Sequence, residues 1–167
     1  MYHLRDYREC DSDAITVLAL SAFSQFQDYF KDWRAFSESV RGFPSLAATA
    51  QIIVAETKGD LISGAVAYVP KASIKDSFFP RDLPVIRMLV VDPEHRGFGL
   101  GRALTDECII RARHERAPGI ALHTSPIMEV ALAMYLKMGF EKYSSAPQIQ
   151  GVEYAVYKKH LERSRLS

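Results

Sequence analysis

The chain has 167 residues, 48% of them hydrophobic and 25% charged, which suits one folded domain over 1–167 with a real core. A formal net charge of +1 excludes a global field that would favour nucleic acid or an anionic membrane as partner, so any anionic ligand must be gripped by a local device. Cys10 and Cys108 make no disulfide framework, the first residues hold no signal-type apolar stretch, and no apolar run reaches bilayer length; the expected compartment is the cytoplasm.

Tyr2–Tyr7 alternates enough for a first strand. Asp11, Ser12 and Asp13 offer an N-cap, and Ala14–Phe26 carries helical periodicity through Ile15, Leu18, Ala19, Ala22, Phe23 and Phe26. Tyr29–Val40 reads as a second helix with Trp33, Phe36 and Val40 on one side, broken by Gly42 and Pro44. Gln51–Thr57 and Leu61–Val69 read as strands joined at Lys58, Gly59 and Asp60, a hairpin signal. Pro70–Pro84 is expected as a loop and Val85–Val91, rich in β-branched residues, as a buried strand. A helix from Leu100 buries Leu100, Leu104, Cys108 and Ala112 at spacings of four. Ile120–Thr124 is a short strand. Met128–Met138 is a helix stopped at Gly139, a left-handed cap. Phe140–Ser144 and Val152–Lys158 close the chain as strands. The order β-α-α-β-β-β-α-β-α-β-β predicts a mixed α/β (α+β) sheet with helices on both faces.

Between the strand ending at Val91 and the helix from Leu100 lie Asp92, Pro93 and the glycines Gly97, Gly99 and Gly101. Glycines there let backbone N–H groups crowd round one point. A helix start adds unpaired donors and a positive dipole end, so the segment can cradle a phosphate or pyrophosphate. A dinucleotide fingerprint, G-x-G-x-x-G, fails because Arg102 stands where the third glycine is needed. A Walker loop fails for want of Lys-Ser/Thr.

Arg96, Gly99 and Gly101 instead fit the form Arg/Gln-x-x-Gly-x-Gly/Ala. With the lead-in Val90, Val91, Asp92, Pro93, and with Tyr135, Gly139 and Phe140 downstream, the chain resembles the GCN5-related N-acetyltransferase (GNAT) superfamily. The resemblance implies a strongly twisted central sheet in which two parallel strands, Val85–Val91 and Ile120–Thr124, splay to admit acetyl-CoA as acetyl donor. It implies that the backbone of Leu89, Val90 and Val91 pairs with the pantetheine amides. The N–H groups of Gly97, Phe98, Gly99, Leu100, Gly101 and Arg102 would then hold the pyrophosphate, with Arg96 and Arg102 adding charge. It implies direct transfer in a ternary complex to a primary amine, on a small molecule first and on a protein N-terminus or lysine second. A homodimer is left open by the frequency of dimers in the family. The rivals are an acyl-CoA-binding module without turnover and a nucleotide-binding protein that uses the same cradle for another phosphate ligand.

Transfer to an amine needs the neutral amine, a donor for the developing oxyanion and a partner for the leaving thiolate. By resemblance the oxyanion donor is a backbone N–H near Leu89 or Val90, and the thiolate partner is Tyr135. A free tyrosine is a weaker acid than a thiol by roughly 1.5 pKa units, so a hydrogen bond describes that role better than full proton transfer. Many relatives carry Asn seven residues before this tyrosine; here Met128 stands there, and Ser125 or Thr124 could substitute for its pantetheine contact. Glu56, His123 and a water chain ending on a backbone carbonyl are the alternatives for the base. The early aromatics Phe23, Phe26, Tyr29, Phe30, Trp33 and Phe36 read as core, with Tyr29 or Phe30 as pocket candidates. Scattered histidines and distant cysteines give no metal set, and neither a zincin motif nor a nucleophile elbow is present.

Overall fold

The structure, a computed structural model, describes residues 1–162. Strand β1 (His3–Asp6) leads through a 3-10 turn at Glu9–Asp11 into helix α1 (Ser12–Phe23). The chain continues as a 3-10 segment, Ser24–Tyr29, before helix α2 (Trp33–Arg41) and a further 3-10 segment, Phe43–Ala48. Strands β2 (Gln51–Thr57), β3 (Leu61–Val69) and β4 (Val85–Val91) follow, then α3 (Leu100–His114), β5 (Gly119–Thr124), α4 (Glu129–Lys137), β6 (Glu141–Ile149) and β7 (Val152–His160).

Two helix boundaries differ from expectation. The first helix stops at Phe23 and its last expected turn tightens into 3-10 geometry, so Phe26 and Tyr29 are carried outside regular α-helix. The second helix starts at Trp33 because Asp32 caps it, accepting from the Ala35 N–H at 3.0 Å. The expected cap at Asp11 is absent. Its carboxylate accepts from Arg5 at 2.8 and 2.9 Å and from the Arg8 N–H at 2.7 Å, because an ionised partner outcompetes a helix N–H. Gly139 adopts φ +94°, the expected left-handed cap.

The seven strands form one sheet in the order β1-β2-β3-β4-β5-β7-β6. All neighbours are antiparallel except β4 and β5. On one face lie α3 and α4, packed through Leu100, Leu104, Cys108, Ile120, Leu122, Tyr135 and Phe140. On the other lie α1 and α2, packed through Ile15, Leu18, Phe36, Val40, Val54 and Ala65. Burial of these two faces is the main favourable term in the fold.

Helix α3 presses closely on β3. A Cβ on Gly64 would stand 3.0 Å from Leu104 Cδ1, so the strand carries glycine where the fully buried leucine reaches it. Leu104→Ala should therefore cost about 2–5 kcal/mol of unfolding free energy, read by urea denaturation.

Candidate active site

The parallel pair β4 and β5 is short. Only Val85↔Ala121 and Ile86↔Leu122 are in register. From Arg87 and His123 onward the strands part. The cause lies in β4 itself: Arg87 pairs with Ala67 and Val90 with Ala65, so Met88 and Leu89 face one residue, Val66. Met88 takes φ +57°, the conformation of a bulge residue rather than of a strand. A bulge bends its strand and sharpens local twist, which swings the end of β4 away from β5.

The parting leaves main-chain groups of β4 without a strand partner. The Asp92 N–H donates to the Ser63 carbonyl at 2.8 Å. Alternation along an antiparallel ladder then turns the Val90 amide toward Ala65, and the N–H groups of Leu89 and Val91 toward the gap. So the expected backbone role of Val90 is not available, because β3 already uses that amide. Its side chain still lines the gap.

At the end of β4 the chain turns at Pro93–His95, fixed by Asp92 accepting from the Glu94 N–H at 2.9 Å. Gly97 and Gly99 follow with φ +83° and +82°, both in the left-handed region, and a Cβ on either would meet no protein atom within 4 Å. Helix α3 starts at Leu100, and the Gly99 carbonyl accepts its first bond, from the Ala103 N–H at 3.0 Å. Among the described residues the N–H groups of 97–102 find no protein acceptor. They lie on the glycine turn and the first residues of α3, where partial positive charge favours an anion.

Gap and glycine turn open into one cavity of about 650 Å³, within the usual range for a small-molecule or cofactor site. β4 gives it Leu89, Val90 and Val91; the turn gives His95, Arg96, Gly97, Gly99, Leu100, Gly101 and Arg102. The far wall is Ile127 and Met128 with Ala131 and Met134 of α4. The roof is Phe23 at the end of α1 with Gln25, Phe26 and Tyr29 of the 3-10 segment after it. Arg96 reaches the Ala22 carbonyl at 3.3 Å and so ties this roof to the turn.

The structure brings together most of the residues singled out in the sequence but separates others. Phe98 is exposed and not on the cavity wall. Ser125 is buried away from it, its hydroxyl accepting from the Ile127 N–H at 3.4 Å and its carbonyl from the Met128 N–H at 3.0 Å; it shapes the turn into α4. Thr124 is likewise buried, its Oγ1 3.8 Å from Met128 Sδ. Glu56 sits two strands away, where its carboxylate accepts from Arg5 Nε at 2.5 Å. That hydrogen bond holds Glu56 below its ordinary carboxyl range, so it is a spent charge remote from the cavity. Tyr135 follows the wall residue Met134, but its ring turns inward onto Phe140, at a centroid distance of 5.6 Å. Burial pushes its phenol upward in pKa.

His123 lies on the α1–α2 face of the sheet, its ring against Phe78, Phe79 and Tyr154 at 5.1–5.4 Å. Its Nδ1 is buried without a partner among the described residues. Burial, reinforced by the charge of Arg87, lowers its pKa from 6.5 to about 4. Of the early aromatics, Phe23, Phe26 and Tyr29 line the cavity, while Phe30 and Phe36 stack in the core at 3.9 Å. The roof glutamine, Gln25, and the α4 wall escaped sequence reasoning; the spacing of Ala131 and Met134 by three was their only signal.

The low pKa of His123 has a stability consequence. The unfolded chain takes up a proton on this residue near pH 6.5 and the folded chain only near pH 4, so the folded state loses stability as pH falls through that window. His123→Phe should lose less than wild type between pH 7 and 4.5, by on the order of 1–3 kcal/mol, when urea unfolding is compared at both values.

Residues 48–142, more than half the chain, match the family model described as an acetyltransferase (GNAT) domain. The chain is 36% identical over 89 residues to N-acetyltransferase family 8 member 3 of Rattus norvegicus, covering 53% of this chain and 37% of that protein. It is 28% identical over 144 residues to the protein named probable N-acetyltransferase family 8 member 5 of Mus musculus, covering 85% of this chain and 61% of that one. The chain thus spans between about a third and three fifths of these relatives. The fold is similar to a GNAT-family acetyltransferase of Staphylococcus aureus, at TM-score 0.75 and 18% identity over 97% of this chain and 100% of that one. It is also similar to a ribosomal-protein-alanine N-acetyltransferase of Brucella melitensis, at TM-score 0.70 and 18% identity over 95% and 99%. A matched family model over the bulged strand, the glycine turn and α4, together with a shared fold across nearly the whole chain, places this protein in the GNAT acetyltransferase family.

Proposed function

We propose that the chain is an N-acetyltransferase that binds acetyl-CoA in the parted strands and passes the acetyl group directly to a primary amine of a small molecule. One observation carries the reading: six consecutive N–H groups, without a protein acceptor among the described residues, stand at the mouth of a gap in the sheet. The residues present fit the donor. Gly97 and Gly99 leave the turn open to a diphosphate, and charge-assisted bonds from its amides contribute on the order of 1.5–3 kcal/mol each. The Leu89 and Val91 amides and carbonyls offer the pantetheine arm a strand edge, in the manner of β-augmentation. When bound, acetyl-CoA supplies an acyl group already activated as a thioester.

The protein's own groups then divide the work. The gap-facing Leu89 N–H is the donor we assign to the carbonyl oxygen as negative charge develops on it. His123 is not among the residues lining the cavity and burial makes it a weak base, so we assign removal of the acceptor's proton to solvent. Tyr135, kept protonated by burial, is the hydroxyl we assign to the departing sulfur as a hydrogen-bond donor. Its ring packs inward on Phe140 and is absent from the cavity wall, so this role requires the ring to turn toward the gap when the donor binds. An acyl-CoA-binding module without turnover remains the second reading, motivated by Met128 at the asparagine position and by the absence of a carboxylate base on β4.

The cradle is tested by Gly99→Val with isothermal titration of CoA. Affinity should fall at least 10-fold while a folded-state spectrum persists; undiminished affinity in the folded variant removes the cradle. Tyr135→Phe should lower kcat about 10- to 100-fold and leave the CoA Kd within about 2-fold, since the interaction is made only as the thiolate forms. A full-rate variant reduces Tyr135 to packing. Release of free CoA thiol with an amine panel separates the enzyme from the silent binding module.

A further inference from the structure

The cavity passes through the sheet. Leu89, Val91, Ala131 and Met134 of its wall pack against the α3–α4 core, whereas Phe23, Phe26, Ile127 and Met128 pack against the α1–α2 core. A ligand laid from the glycine turn along β4 past Leu89 meets a closed end, because β4 and β5 are in register at Ile86↔Leu122. The α3–α4 side is filled: Leu89, Val91 and Met134 converge within 3.9 Å of the place a Cβ on Gly101 would occupy. The way left leads to the α1–α2 side, between the roof residues Phe23 and Phe26 and the wall residues Ile127 and Met128. All four are half-buried. The polar groups bordering them are already engaged. Gln25 Nε2 and Arg96 Nη2 both donate to the Ala22 carbonyl, at 2.9 and 3.3 Å. Thr124 Oγ1 meets Met128 Sδ at 3.8 Å. Among the described residues the one carboxylate on the cavity wall is Glu129, exposed at the start of α4.

Half-buried apolar side chains with no free polar group between them suit an uncharged, apolar ligand group. An amine acceptor arrives mostly as a cation and finds no carboxylate in this compartment. The donor's acyl group carries no charge, and it extends from the thioester carbonyl assigned to the Leu89 N–H. Resting on the acetyl-transfer reading above, we propose that this compartment seats the acyl chain, and that the protein also transfers butyryl and hexanoyl groups from their CoA thioesters. The step balances as acetyl transfer does. The neutral amine nitrogen bonds to the acyl carbon, and the C–S bond breaks with its electron pair on sulfur. The nitrogen gives one proton to solvent, and the thiolate takes one up to leave as CoA thiol. Phe26 and Met128 set the length of acyl chain that fits and do not touch the reacting atoms.

The experiment uses the intact chain. It is titrated with CoA, acetyl-CoA, butyryl-CoA and hexanoyl-CoA, and each thioester is then assayed for thiol release with the amine panel. Burying one methylene is worth about 4-fold in affinity, so hexanoyl-CoA should bind at least about 10-fold tighter than acetyl-CoA. Both longer thioesters should release thiol with a kcat/KM at least equal to that of acetyl-CoA. Phe26→Ala and, separately, Met128→Gln should lower the hexanoyl-to-acetyl affinity ratio at least about 5-fold in folded protein, and Met128→Leu should keep it within about 2-fold. Affinity that is flat or falls with acyl length, no thiol release from the two longer thioesters, or a length gain untouched in both variants overturns the proposal. So does a flat acyl series in which Phe26→Ala slows only amines with apolar substituents, which gives the compartment to the acceptor. Acetyl-CoA turnover in the same assay decides the acetyl-transfer reading separately. A protein that binds no CoA overturns both.

Discussion

The separation of β4 from β5 is the constraint on which the rest of the molecule depends. A sheet normally leaves no interior main-chain group unpaired, because each one buried without a partner is expensive. Here the ladder is abandoned after two register pairs, and a left-handed Met88 accounts for the bend. A non-glycine residue in that region costs on the order of 1 kcal/mol. The strain is held by antiparallel pairing with β3 on both sides of the bulge. The amides released at Leu89 and Val91 and those of the glycine turn then face one cavity from adjoining segments.

The two faces of the sheet divide the labour. The α3–α4 face is a packed apolar core that carries the helix start with its free amides. The α1–α2 face holds the titratable and aromatic groups around the opening, among them Arg87, His123 and Tyr154. Burial moves His123 and Tyr154 toward their neutral forms: it lowers the imidazole and raises the phenol to about 12.

Much of this was legible in the chain. The β-branched run Val85–Val91, the glycines at 97, 99 and 101, and the stop at Gly139 depend on local sterics, which sequence encodes directly. So the strand–turn–helix, the cradle and the order of elements could be read without coordinates. The family resemblance added the splay. Neither source could see the bulge at Met88, because its conformation is set by the register with β3 and not by a residue preference.

Side-chain direction was decided by tertiary packing alone. Glu56 has the chemistry of a base, but pairing of β1 with β2 brings Arg5 onto it and takes it out of reach of the cavity. Ser125 has the chemistry of a pantetheine partner, but it closes its own turn. Tyr135 occupies the helix position of a wall residue, yet Phe140 and the α3 core draw its ring inward. What the amino-acid order determined by itself was which backbone N–H groups would be left without an acceptor among the described residues, since that follows from glycines and a helix start. Which side chains line the cavity was settled only when strands distant in sequence came into register, because contacts across a sheet depend on pairing that no local pattern records.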